Sequence, residues 1–125
     1  MPHLTLYYTA NLPAQTSFEP LLAQCHSILA NVGGVKIGNC KSKAIRIEEF
    51  FVADGTQNQA FVHLDLRLLE GRAPELKQDI GKHCLAAIKE AFSELVEHNQ
   101  VQITVEIRDI VRQNYFKIPA DSIAP

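Results

Sequence analysis

The 125-residue sequence lacks the features that mark several large classes of protein. Its twelve lysines and arginines are outnumbered by fourteen aspartates and glutamates, which leaves no basic excess to neutralise the phosphates of a nucleic acid. Its apolar runs are a few residues long, far short of the roughly 20 that cross a bilayer. Residues 1–15 have neither the basic nor the apolar segment of a signal peptide. We therefore expect a cytoplasmic protein with no nucleic-acid or membrane partner.

The sequence also lacks the motifs of metal and cofactor sites. Cys25, Cys40 and Cys84 are far apart and form no CxxC pair, so we expect neither a disulfide framework nor a zinc site. The five histidines show no zinc-helix spacing, and there is no P-loop, dinucleotide fingerprint or Gly-x-Ser-x-Gly elbow. We predict no metal site. Cys25 and Cys84 fall in helical patterns, where a small buried apolar role is expected.

What is present is the pattern of one globular domain over residues 1–125. Hydrophobic residues make up 46% and charged residues 21%, as in soluble domains, and no shift in composition marks a linker. Apolar periodicity predicts, in order, a strand over 4–8, a helix over 18–32, strands over 44–52 and 60–69, a helix over 74–96 and a strand over 101–108. Residues 16–19 fit a capping box at the start of the first helix, and Gly33-Gly34 fits its end.

The order strand–helix–strand occurs twice, which predicts an α+β fold of two tandem βαβ units. Right-handed crossovers put both helices on one face of a four-stranded mixed sheet. The opposite face carries Phe61, Tyr7 and Phe50 or Phe51 among polar groups and is left uncovered. An open, partly aromatic sheet face favours self-association, so we expect a homo-oligomer.

The most informative residue is Pro2. Removal of Met1, which is general before a small residue, would expose a secondary amine at the start of the first strand. An α-amino group has a pKa of about 8, and apolar surroundings or nearby cations lower it, which suits an uncharged base at neutral pH. The predicted topology brings Lys41, Lys43 and Arg72 to the same end of the sheet, where a small dicarboxylate would find both charge partners and a base. The alternative is that these cations are ordinary solvated side chains.

Five segments then resemble one family: Met1-Pro2-His3, Ala53-Asp54-Gly55, Ala60-Phe61-Val62-His63, Gly71-Arg72 and Phe116-Lys117. Together they are similar to the 5-carboxymethyl-2-hydroxymuconate isomerases of the tautomerase superfamily. The resemblance implies a trimer with active sites near subunit boundaries and no metal or organic cofactor. It further implies that Pro2 moves a proton between carbons of an unsaturated 2-hydroxy or 2-oxo acid and that Arg72 binds the substrate.

One departure from the family concerns substrate binding. The family's Arg-Ser-Arg segment is Lys41-Ser42-Lys43 here. Lysine offers a mobile point charge where arginine offers a planar fork for a carboxylate, which leaves the substrate open. We predict a cofactor-independent isomerase of unsaturated dicarboxylic acids, acting in aromatic-compound breakdown. The alternative hypothesis is a non-catalytic oligomeric protein of the same fold that binds small acids or a partner.

Two further groups of residues have weaker patterns. His63, Asp65 and Arg67 share one face of the third strand, which predicts a polar subunit contact, with a direct substrate role as the alternative. Glu106 is expected to pair with cations across the same face. Phe116 is expected to pack in the core or an interface, and the alternative is that it walls the substrate pocket.

Overall fold

The computed structural model describes residues 1–13 and 17–119. The elements along the chain are β1 (His3–Thr9), α1 (Glu19–Asn31), β2 (Lys41–Ile47), β3 (Ala60–Leu69), α2 (Pro74–Ala91), α3 (Ser93–Glu97) and β4 (Val101–Ile110). Short 3-10 turns at Ile37–Asn39 and Arg112–Asn114 precede β2 and follow β4. The predicted succession of strand, helix and strand, occurring twice, is confirmed.

The strands form one mixed sheet in the order β2-β1-β3-β4. β1 is parallel to β2, β3 is parallel to β4, and the first strands of the two units run antiparallel at the centre. In this register His3 lies between Lys41 on β2 and Arg67 on β3. The α+β fold with two tandem βαβ units is therefore the one predicted.

Both helices pack on the same face of the sheet. Leu64 and Leu66 of β3 are fully buried in one cluster with Leu29 of α1 and with Ile80 and Ile88 of α2. Burial of each such side chain stabilises the fold by about 1.5–3 kcal/mol.

The thiols of Cys25 and Cys84 lie within the same core. Both residues are 0% exposed, and their thiols hydrogen-bond to each other between α1 and α2. Their predicted roles as small buried residues are confirmed.

The second strand lies earlier in the chain than its pattern indicates. The prediction of a strand over 44–52 is wrong, because β2 covers Lys41–Ile47 and pairs with β1 over the whole length of that strand. Beyond Ile47 the chain bends at two consecutive glutamates, and Phe51 lies outside the sheet with 76% of its surface exposed. Phe50 and Phe51 therefore do not belong to the open sheet face.

The second helix ends earlier than predicted. One continuous helix over 74–96 is wrong, because α2 ends at Ala91 and α3 begins at Ser93. Phe92, between them, leaves helical geometry at φ −121° and ψ 32°. The break turns the Phe92 ring into the core, where it is 4% exposed and lies 6.3 Å from the ring of Phe18, while Ala91 remains exposed.

The boundaries of α1 are set by local hydrogen bonds. The backbone N–H of Glu19 donates to the Ser17 hydroxyl at 3.0 Å, whereas Thr16 of the predicted capping box lies outside the described residues. Gly34, at φ +68°, ends the helix as predicted. A side chain at Gly33 would place its Cβ 2.8 Å from the Leu29 carbonyl, so this close approach requires glycine.

Among residues 1–13 and 17–119, no helix combines the length and the apolar character of a membrane span.

Candidate active site

Pro2 lies where β1 and β2 begin side by side. Its carbonyl accepts a hydrogen bond from the N–H of Lys41 at 3.2 Å. Its side chain is fully buried, as is that of Met1, which is 1% exposed. The sheet register thus brings the start of β2 to Pro2, as the topology argument requires.

Lys41 and Lys43 lie on the open face of the sheet. They are the register partners of His3 and Thr5, so they share the face that the helices leave uncovered, and both are exposed. A cavity of about 490 Å³ is present there, lined by His3, Thr5, Tyr7, Lys43, Asp65, Arg67, Ile110, Asn114 and Tyr115.

The positive charge at this end of the sheet affects the pKa of the His3 imidazole. Partial burial is the main cause that lowers its pKa, and the charges of Lys41, Lys43, the terminal amine and Arg67 lower it further. Its Nε2 lies 2.7 Å from the hydroxyl of Tyr115. An anion that entered this region would therefore meet a favourable potential.

Arg72 lies at the same end of the sheet, between β3 and α2. Its Nη1 donates to the carbonyl of Gly33 at the end of α1, 3.2 Å away. Its Nε and Nη2 are buried and find no hydrogen-bond acceptor among the described residues. Burial lowers the pKa of Arg72, and the positive charge of Arg112 adds to the effect. Buried N–H groups are nearly always satisfied in native proteins, so these two donors indicate a missing acceptor.

The three cations predicted around Pro2 thus lie on different sides of the sheet. Lys41 and Lys43 share the open face with His3, whereas Arg72 contacts Gly33 on the side that the helices cover. All three lie at the end of the sheet where β1 starts and β3 ends.

Arg112 is the residue near this site that sequence reasoning missed. Its backbone N–H donates to the Glu70 carboxylate at 2.6 Å, and its Nη2 donates to the Glu70 carbonyl at 3.2 Å. The available signal was its position directly after β4, because parallel strands that start in register also end together. The register pairs Leu69 with Ile110, which places Arg112 beside the loop that carries Arg72.

The polar row on the open face forms an ion-pair network. Asp65, which is 6% exposed, accepts hydrogen bonds from Nε and Nη2 of Arg108 at 2.9 and 2.8 Å and lies 3.4 Å from Nε of Arg67. The carboxylate of Asp65 raises the pKa of Arg108 through these hydrogen bonds and through its charge. Glu106 faces His63, with 4.0 Å between Oε1 and Nε2.

Three ligand atoms in this network, from His63, Asp65 and Glu106, lie within 4.8 Å of one another, a spacing that a metal ion could use. However, two guanidinium groups already occupy the Asp65 carboxylate, and Nδ1 of His63 is 2.7 Å from the Thr104 hydroxyl. These contacts favour a structural polar network over a metal centre.

Two other features lie outside the cluster of cations around Pro2. Phe116 is 86% exposed, so the expected core packing is wrong for this residue in the described chain, whereas packing in an interface and walling of the substrate pocket both stay predictions. A groove of about 580 Å³ runs between α2 and the outer edge of β4, but its walls include Leu85, Ile103 and Ile107 and neither Pro2 nor Arg72.

Two βαβ units that share one mixed sheet, with a proline at the start of a central strand, define the tautomerase fold. Among solved structures, this fold is shared by a fused "4-OT wild type symmetric trimer" at a TM-score of 0.73 and 14% identity, covering 96% of this chain and 94% of that chain. The family model of 5-carboxymethyl-2-hydroxymuconate isomerase matches residues 2–120. The chain therefore belongs to this family, and it is an isomerase.

Two relatives agree with this assignment. The crystal structure of a 5-carboxymethyl-2-hydroxymuconate isomerase from Deinococcus radiodurans R1 is 30% identical, with a TM-score of 0.84, covering 93% of this chain and 87% of that chain. The 5-carboxymethyl-2-hydroxymuconate Delta-isomerase of Escherichia coli is 26% identical over 110 residues, which are 88% of this chain and 87% of that protein.

Proposed function

We propose that this isomerase moves a proton within an unsaturated 2-hydroxy or 2-oxo dicarboxylic acid similar to 5-carboxymethyl-2-hydroxymuconate. The observation that carries the proposal is the unsatisfied pair of buried N–H groups on Arg72. Leaving such donors unpaired costs about 1–3 kcal/mol. A carboxylate supplies the planar, charged acceptor that a guanidinium fork matches.

Pro2 is the proposed base, in chains that have lost Met1. While Met1 is attached, the Pro2 nitrogen belongs to an amide and has no basic lone pair. Removal of Met1 breaks this amide and frees the nitrogen. Because the side chain of Met1 is buried outside the main core cluster, its removal also leaves space beside Pro2. The positive charges of Lys41, Lys43 and Arg67 at this end of the sheet favour the neutral form of an amine.

The proposed reaction consists of two proton transfers. The Pro2 nitrogen takes the proton of the substrate's 2-hydroxyl, or of a carbon next to its carbonyl, which leaves a conjugated dienolate. Arg72 holds a carboxylate of the substrate, and the positive charges of Lys41 and Lys43 at the same end of the sheet stabilise the charge on the enolate oxygen. The prolinium then returns its proton to a different carbon, so the product is an isomer and no oxidant or cofactor is needed. We place this reaction in aromatic-compound breakdown in the cytoplasm.

A homotrimer is the proposed assembly. The open face exposes part of Tyr7 and Phe61 between charged groups, and Ile118, beyond the 3-10 turn at Arg112–Asn114, is 98% exposed. Apolar surface of this kind is usually covered by a second copy. The symmetric trimer among the structures of this fold supports closure into three subunits. Light scattering on purified protein tests the prediction of three subunits.

The second candidate is a non-catalytic protein that binds small acids. The observation that favours it is the complete burial of Pro2 next to a buried Met1. A chain that retains Met1 would keep the Arg72 site and lack the base.

The deciding experiment begins with intact mass spectrometry, which establishes whether Met1 is present. Ketonisation of a 2-hydroxymuconate-type dienol and ketonisation of phenylenolpyruvate are then followed by absorbance. We expect activity from the processed protein and at least a 100-fold loss when a glycine-serine extension precedes Pro2. The same extension at the C-terminus is the matched control. Full activity in the N-terminally extended protein, with the extension verified by mass, would refute Pro2 as the base.

A further inference from the structure

We infer that Arg112 is a second carboxylate-binding residue, which acts with Arg72 to select dicarboxylic over monocarboxylic acids. This inference rests on the proposed function, because it assigns the two ends of the substrate to two arginines. Lys41 and Lys43, which the sequence favours for this role, lie on the opposite face of the sheet from the Arg72 contact with Gly33.

The sheet register places Arg112 beside the Arg72 loop. β3 and β4 are parallel and end together, with Leu69 opposite Ile110, and the N–H of Glu70 donates to the Ile110 carbonyl at 3.0 Å. Arg112 then binds Glu70 twice, through its backbone N–H at 2.6 Å and its Nη2 at 3.2 Å. Glu70 is two residues from Arg72. The side chain of Arg112 is therefore held against the loop that positions the buried guanidinium.

Neither of these guanidinium groups has a carboxylate partner in the described chain. The Glu70 carboxylate bonds the backbone N–H of Arg112, and the Glu70 carbonyl receives its Nη2. The other arginines each contact an acid: Arg46 contacts Glu48, while Arg67 and Arg108 contact Asp65.

The unpaired charges also act on each other. Arg112 is exposed and Arg72 is half-buried, and the charge of Arg112 contributes to the lowered pKa of Arg72. The two guanidinium groups repel each other, and both have N–H donors without a carboxylate partner. An anion bound between them relieves this repulsion. A monocarboxylate satisfies the buried donors of Arg72 alone, whereas a dicarboxylate can also reach the exposed fork of Arg112.

The test compares two ligands that differ only in the second carboxylate. trans,trans-Muconate and sorbate share the same six-carbon diene, and their binding to the N-terminally processed protein is measured by calorimetry. We expect muconate to bind about 10-fold more tightly than sorbate, since a hydrogen bond to a charged group supports an effect of that order. Arg112→Ala should remove this preference and leave sorbate affinity within about twofold.

Three further variants calibrate the result. Arg112→Lys keeps the charge but loses the fork, so it should retain part of the preference. Arg72→Ala should weaken both ligands. Arg46→Ala, at the far end of β2 with its own partner Glu48, is the matched control and should change neither. Circular dichroism checks that each variant is folded.

The outcomes separate this inference from the proposed function. No muconate preference in the wild type, or an unchanged preference in folded Arg112→Ala, overturns the role of Arg112 even if the enzyme isomerises dienols. Arg112-dependent preference without isomerisation of any dienol upholds the dicarboxylate site and overturns the proposed reaction.

Discussion

Two pairs of arginines, one on two parallel strands and one just beyond the ends of those strands, have opposite environments. Arg67 and Arg108 face each other across β3 and β4, and the buried carboxylate of Asp65 lies within 3.4 Å of one and 2.8 Å of the other. Arg72 and Arg112 follow the ends of those strands, and no ion pair with a described residue involves either. Where the chain supplies the acid, the arginines form part of the fold. Where it does not, we expect a ligand to supply it.

The sharpest test of this contrast is removal of the unpaired cation. Arg72→Met should lower kcat/KM by about 100-fold or more, since a charged substrate contact is lost from a partly buried site. The free energy of unfolding should stay within about 1 kcal/mol of the wild type, because Nε and Nη2 were not satisfied and the single hydrogen bond lost is the one from Nη1 to the Gly33 carbonyl. Steady-state kinetics and urea denaturation measure the two effects. A large loss of stability with intact kcat/KM would assign Arg72 to the fold instead.

The opposite result is expected at the paired arginines. Asp65→Asn leaves Arg67 and Arg108 facing each other without a negative charge, and it should lower the free energy of unfolding by about 2 kcal/mol. Glu106→Gln on the same face is the control and should cost less than about 0.5 kcal/mol, because its side chain is 59% exposed. Urea denaturation at pH 7 measures both. Equal losses of free energy of unfolding in Asp65→Asn and Glu106→Gln would contradict the claim that burial makes the Asp65 ion pairs more important for stability.

The smallest expected effect concerns pH. Burial and the surrounding cations lower the pKa of His3, so the folded state binds a proton less readily than the unfolded chain. The contribution of His3 to the free energy of unfolding is therefore fully present above the unfolded pKa of about 6.5. It is lost as pH falls from there through the lowered folded pKa. His3→Gln should flatten the decline in melting temperature between pH 7 and pH 5, and His98→Gln, at an exposed position, should not. Parallel melting curves for His3→Gln and the wild type would contradict this.

Much of the fold follows from short-range patterns in the sequence. β3 has the bounds that its alternation indicates, α2 begins at the predicted proline, and the handedness of the crossovers places both helices on one face of the sheet. β2 does not follow its own pattern. The apolar run at 50–52 favours a strand, yet the pairing partner on β1 selects Lys41-Ser42-Lys43 instead. Tertiary pairing overrides local propensity there.

The candidate site was predictable in its location and less so in its members. Topology alone brings Pro2, Lys41 and Arg72 to one end of the sheet. The buried, unsatisfied donors of Arg72 and the anchoring of Arg112 on Glu70 depend on side-chain contacts between residues about 40 positions apart. No motif in a single sequence encodes such contacts, because they depend on where neighbouring strands end.

Gly71, a residue that has no side chain to offer a ligand, separates Arg72 from Glu70, on which Arg112 is anchored. Its φ of +110° is strained for any other amino acid, although a Cβ there would meet no atom within 4 Å. The cost of replacing Gly71 is therefore backbone strain alone. If the backbone relaxed to a negative φ, the position of Arg72 relative to Arg112 would change. We therefore expect a substitution at Gly71 alone to change the length of the diacid that the two arginines bind, with every charged side chain left unchanged.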